Sequence, residues 1–248
     1  MAAGRKVDVF LRRQIQEHRA EQKTDLLGLL LEARREDGKA LTDEELLNNT
    51  RFLLFAGYDT TASTLTWALL ELLSNAEVLT RVEQELDMQR SDQPLTVAEL
   101  GRLPLLDAVI KETLRLHPST AILARGLNST LDYDGYSVPV GWTVMLVPAY
   151  THRMPEYFAD PARFDPDRFL APREEDKRTP YAWVGFGGGT HACIGMGIAQ
   201  VEIKTVLAQL LRRFHFALVP DQNMTAQYLP ITRPKSGLIV MFEPRVRV

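Results

Sequence analysis

The sequence predicts a mainly α fold with small β-sheets, and three observations predict it. Apolar residues recur three and four positions apart over several long stretches, as they do on one-sided helices. Thr42-Asp43-Glu44-Glu45 is a capping signature that opens a helical run reaching about Leu73. Between the later helical stretches, β-prone runs are short and bracketed by the turn signals Asp134-Gly135 and Val140-Gly141.

In chain order, Val7 to Arg19 reads as a polar helix with apolar points at Val9, Phe10 and Ile15, and Asp25 to Arg35 as a leucine-rich second helix. Asp37-Gly38-Lys39 breaks the pattern before the long helix begins. Within that helix, Gly57 and the β-branched pair Thr60-Thr61 weaken helix propensity, which invites a local distortion or the close approach of a ligand. Asn75 to Gln89 reads as a helix, Arg90 to Pro94 as a loop, and Thr96 as the cap of a short helix leading to Gly101. Pro104 suits the first turn of a helix ending before Pro118. Glu112 and Arg115 share one face of it, and such a pair on a surface helix is worth under about 1 kcal/mol.

Short strands are expected at Ala121 to Arg125, Leu131 to Tyr133 and Thr143 to Val147, then at Phe214 to Val219 and Leu238 to Phe242. Asp160 to Pro180 reads as a meandering loop that Phe158, Phe164 and Phe169 anchor.

The stretch Phe186-Gly187-Gly188-Gly189-Thr190-His191-Ala192-Cys193-Ile194-Gly195 carries the single cysteine, just before an amphipathic helix marked by Ile203, Val206, Leu207, Leu210, Leu211 and Phe214. Unpaired N–H groups at a helix start favour negative charge on the sulfur. The glycines let the backbone pass close to a flat, bulky group, and a thiolate so placed is a soft ligand for iron.

This stretch resembles the haem-binding loop of the cytochrome P450 family, Phe-x-x-Gly-x-x-x-Cys-x-Gly, at Phe186, Gly189, Cys193 and Gly195. Where the family usually has arginine, two residues before the cysteine, this chain has His191, which can also donate to a haem propionate. Ala56-Gly57-Tyr58-Asp59-Thr60-Thr61 is similar to the family's oxygen-binding helix motif, and Lys111 to Pro118 to its Glu-x-x-Arg helix, with Arg168 downstream.

The resemblance implies the C-terminal portion of the P450 fold, with residues 1–248 forming a partial domain that lacks the N-terminal half. It implies haem b with Cys193 as axial thiolate, and His191 and Arg125 as propionate contacts. Phe186 would shield the sulfur side. Thr60 would hydrogen-bond dioxygen and nearby waters, Asp59 would relay protons, and Glu112, Arg115 and Arg168 would form a structural triad. Ala121, Ile122 and Leu123 would line the pocket. The implied activity is that of a haem-thiolate monooxygenase, using O2, an apolar small-molecule substrate and an electron-donor protein. The alternative is a catalytically incomplete, non-enzymatic fragment with weak or no haem binding.

Other site classes fit poorly. One cysteine with histidines at 18, 117, 152, 191 and 215 forms no compact zinc repeat, His191 lies too close in sequence to serve convincingly as base for a Cys193 nucleophile, and the loop lacks the Lys-Ser/Thr of a P-loop. With 248 residues, 45% hydrophobic and 25% charged, the composition is that of a soluble globular protein. A net charge of -3 argues against nucleic acid as the main partner. A lone cysteine forms no intrachain disulfide, which suits a reducing cytoplasm. Met1 to Lys6 runs into charge rather than a signal-peptide core, and no apolar run reaches the roughly 18 residues of a membrane span.

Overall fold

The fold is described from a computed structural model, which covers residues 2–89, 93–228 and 230–245. The chain divides into two compact units, Met1–Asp59 and Thr60–Val248. In the first, α1 (Ala2–Glu21) and α2 (Leu26–Glu32) meet the opening turns of α3 (Asp43–Ser74). Leu11 and Ile15, one helical turn apart, close with Leu46 and Leu47 over a small leucine core that Leu27, Leu30 and Leu31 border.

The capping box forms: the Thr42 N–H donates to the Glu45 carboxylate at 2.7 Å, and the Glu45 N–H to the Thr42 hydroxyl at 3.3 Å. One expectation needs correction. The second helix stops at Glu32, because the Arg34 guanidinium folds back onto the carbonyls of Glu32 and Ala33, at 2.7 and 3.0 Å, and supplies donors to the helix end. α3 runs as one helix through Gly57, where an added Cβ would meet no atom within 4 Å. Farther along it, Thr64 donates back to the Thr60 carbonyl at 2.9 Å.

The second unit continues from α3 with α4 (Ala76–Asp87), α5 (Val97–Leu100) and α6 (Pro104–Leu116). Next come β1 (Leu123–Gly126), β2 (Leu131–Tyr133), β3 (Tyr136–Val138) and β4 (Thr143–Leu146), then the short helices α7 (Pro148–Thr151) and α8 (Glu175–Arg178). After α9 (Met196–Arg213), the chain ends in β5 (Phe214–Leu218), β6 (Ala226–Gln227), β7 (Arg233–Pro234) and β8 (Val240–Pro244). The strands pair antiparallel as β1 with β4, β2 with β3, β5 with β8 and β6 with β7.

The strand ends move by one or two residues from expectation, and the Asp160 to Pro180 stretch is anchored by buried Phe158, Phe164 and Phe169 as expected. The expected loop at Arg90 to Pro94 falls largely on residues outside those described.

α6 is the axis of this unit. Leu106, Val109 and Leu114 pack with Leu72 of α3, Val82 and Leu86 of α4, and Ile203, Leu207 and Leu211 of α9. Its N-terminus has no side-chain cap of its own. Glu85 of α4 replaces one, accepting the N–H groups of Leu105 and Leu106 at 2.8 and 3.0 Å. Burial pushes the Glu85 carboxyl up despite these two donors.

Thr96 closes a second capping box with Glu99 at the start of α5. Thr96→Ala is expected to cost about 1 kcal/mol in urea unfolding, and an unchanged midpoint would show that α5 contributes nothing to the cooperative unit.

Candidate functional site

The cysteine loop is shaped by its own backbone. The Gly187 N–H donates to the Val184 carbonyl at 2.9 Å, and Gly187 then takes φ +74°. A Cβ there would be strained by that φ and would also come within 3.3 Å of the His191 carbonyl oxygen. A 3-10 turn follows at Gly189–His191, and the Cys193 N–H closes the loop on the Phe186 carbonyl at 2.8 Å. Gly195 is the N-cap residue of α9.

Cys193 is exposed, and so are its neighbours Ile194, at 91%, and Ile198, at 61%. The ring of Phe186, partly buried, packs on the main core and meets Trp183 edge to face at 6.3 Å. His191 is exposed. Gly195 lies close to the sulfur: a Cβ on it would stand 3.9 Å from Cys193 Sγ, an ordinary contact.

Glu112, Arg115 and Arg168, the three residues of the expected triad, are brought together and are fully buried, so Glu112 and Arg115 are not a surface pair. Arg115 holds the Glu112 carboxylate by two bonds of 2.6 and 2.8 Å, and Arg168 Nε reaches the same carboxylate at 3.0 Å. The remaining donors of Arg115 go to the carbonyls of His152, Pro161 and Arg163, at 2.7, 2.8 and 3.1 Å. Arg168 also pairs with Glu175 at 2.7 Å. Burial pushes the Glu175 carboxyl up, but Arg173 and Arg168 outweigh it and hold the group below its usual value.

Thr60 is half-buried and opens the second unit, with Thr61 buried beside it. The Thr60 carbonyl accepts from Thr64 Oγ1 at 2.9 Å and from Ser119 Oγ at 3.3 Å. Ser63 Oγ and Trp67 Nε1 donate to the Thr232 carbonyl, the latter at 3.3 Å, so this part of α3 is stitched to two loops. Asp59 is half-buried and ends the first unit. Arg125, half-buried on β1 opposite Val144, donates to the Ala124 carbonyl at 2.9 Å.

Sequence reasoning missed Glu175, His152, Trp183 and Gly185. A Cβ on Gly185 would fall 2.5 Å from the Trp183 indole, so glycine is needed for the indole to fold back over the loop entry. The Gly185 spacing was available in the sequence as a signal, but the His152 contacts, made largely to backbone, leave none.

The donor set narrows the chemistry. Among the described residues, no group of three or more His, Cys, Asp or Glu side chains could hold a metal ion. One exposed thiol beside exposed apolar side chains fits the haem that the resemblance implies. A mainly helical fold carrying such a cysteine on a glycine-rich loop before a long helix agrees with the haem-thiolate class.

Comparison with known proteins agrees: the family profile described as Cytochrome P450 matches residues 4–242, and the chain belongs to that family. It is 37% identical over 232 residues to the protein named Putative cytochrome P450 136 of Mycobacterium tuberculosis, covering 93% of this chain and 47% of that protein. It is 39% identical to the Sterol 14alpha-demethylase of Mycolicibacterium vanbaalenii, over 78% of this chain and 43% of that one. The solved structure of retinoic acid bound cyanobacterial CYP120A1 matches with a TM-score of 0.89 at 33% identity, covering 96% of this chain and 55% of that one. The chain spans about half the length of the curated relatives it matches. Among the described residues no helix is long and apolar enough to cross a membrane.

Proposed function

We propose that this chain forms the haem-thiolate portion of a monooxygenase that inserts one oxygen atom of O2 into an apolar organic substrate. The observation that carries the reading is the exposed Cys193 thiol on a loop closed by its own N–H to Phe186. When bound, haem supplies O2 activation, and a thiolate on its iron favours O–O cleavage.

The chain's own residues hold and steer. Cys193 would ligate the iron of haem b, while the hydrogen bond from its backbone N–H to the Phe186 carbonyl fixes the loop and the Phe186 ring keeps water from that side. Exposed Ile194 and Ile198 supply apolar contact to the ring. His191 and Arg125 offset propionate charge. Thr60 would hydrogen-bond O2 and adjacent water, and Asp59 would relay protons toward it, roles that rest on the match to the family's helix motif. Glu112, Arg115 and Arg168 hold the scaffold and touch no reactant. Ala121, Ile122 and Leu123 form a pocket edge, and the apolar class agrees with relatives named for a sterol and for bound retinoic acid. Electrons come from a donor protein.

The test is to load the chain with haem, reduce it and add carbon monoxide. A Soret band at the position characteristic of thiolate ligation is expected, and Cys193→Ala should abolish it while changing urea stability by under about 0.5 kcal/mol, because the side chain is exposed. A spectrum that survives Cys193→Ala, or no haem spectrum at all, rejects the reading.

A further inference from the structure

His152 follows α7 and is completely buried, yet no motif marks it. The Val184 N–H donates to its Nε2 at 2.9 Å, so a neutral ring carries its proton on Nδ1. Nδ1 is buried and has no hydrogen-bond partner. A buried donor without a partner is costly, so the bond at Nε2 and the packing of the ring have to offset that cost.

The packing is close to parallel on one side. The ring stacks on Trp183, with centroids 6.5 Å apart and planes 11° off parallel, and meets Phe158 edge to face at 6.4 Å. Trp183 is itself held, donating its indole N–H to the Lys111 carbonyl of α6 at 3.2 Å.

These contacts sit on a continuous path. Arg115 donates to the His152 carbonyl at 2.7 Å, His152 Nε2 receives the Val184 N–H, the Val184 carbonyl receives Gly187, and the Phe186 carbonyl receives Cys193. The buried charge network at one end and the thiol loop at the other thus both contact His152. We propose that His152 is a positioning residue for the Cys193 loop, its imidazole anchoring the loop entry at Val184 and its carbonyl tying that anchor to Arg115. This rests on the reading of Cys193 as the haem ligand.

Imidazole suits the place for three reasons. It is flat enough to lie against Trp183, it offers an sp² acceptor at the reach of Val184, and it is neutral as that acceptor. Phenylalanine keeps the stack without the acceptor. Glutamine keeps an acceptor at similar reach without the stack.

Two readouts on His152→Phe and His152→Gln test the proposal. In the metal-free chain at pH 7, hydrogen exchange at the Val184 and Cys193 amides should rise roughly tenfold in His152→Phe, the worth of one hydrogen bond, with the Leu207 amide unchanged. His152→Gln should restore most of that protection. In the haem-loaded chain, the reduced carbon monoxide spectrum of His152→Phe should move from the thiolate position toward the form that has lost thiolate, and His152→Gln should move it back.

Wild-type protection at both amides in a folded His152→Phe overturns the proposal. Should His152→Phe fail to fold, His152→Gln decides: retained protection at Val184 supports the acceptor role, and its loss overturns it. A wild-type chain without a thiolate spectrum rejects the haem reading alone, because the exchange experiment still judges the anchor.

Discussion

Glu112→Ala is expected to lower stability by about 3–5 kcal/mol, the cost of stranding buried charge. The argument lies in what each arginine keeps. Arg168 retains Glu175, but Arg115 has no other carboxylate partner among the described residues and is fully buried. It would keep only the carbonyls of His152, Pro161 and Arg163. The Asp165 N–H, which donates to Glu112 at 2.8 Å, would also be orphaned.

Glu112→Gln should cost less, since an amide still accepts from one arginine. Urea unfolding of both variants measures this, and a Glu112→Ala loss below about 1 kcal/mol would show that the network behaves like a surface pair.

Acid should act through His152. Burial is the main cause that lowers its pKa from 6.5 to about 4, so the folded chain holds the ring neutral where the unfolded chain has already protonated it. The unfolded state then binds the extra proton, and stability falls as pH drops. The contribution is complete above about pH 6.5, declines through the window down to about pH 4, and levels off below that, where the folded ring protonates too. Across the window the change is about 3 kcal/mol.

Structurally, a protonated ring would turn a second N–H toward the Val184 N–H, with Arg115 close by. Stability measured from pH 7.5 to 3.5 for the wild type and His152→Phe isolates the group from the carboxylates. The wild type should lose about 3 kcal/mol relative to the variant, and parallel profiles would assign acid sensitivity to other groups.

Both effects come from residues whose importance a sequence shows unevenly. The helix starts at Thr42 and Thr96 were legible because capping is local, three residues reaching from hydroxyl to carboxylate. The cysteine loop was legible for a similar reason, being built from its own backbone between Val184 and Gly195.

Glu112 and Arg115 share a helix face whether that face is wet or dry, so their spacing could not reveal complete burial. Burial depends on Pro161, Arg163 and Arg168, which arrive much later in the chain. His152 was invisible because its decisive partners, Val184 N–H and the Arg115 bond to its carbonyl, involve backbone atoms that every residue has. The early stop of α2 was hidden because Arg34 reads as a solvated charge until its guanidinium folds back on the helix end.

The sequence separations within the buried network favour an order of assembly. Glu112 and Arg115 lie three residues apart and Arg168 and Glu175 seven, but Glu112 and Arg168 are separated by 56. The two short closures cost little chain entropy and can form within α6 and within the turn leading to α8. The long one costs more. Where each half pairs its own charges first, the water stripped away at their union is that of paired groups rather than of separate ions.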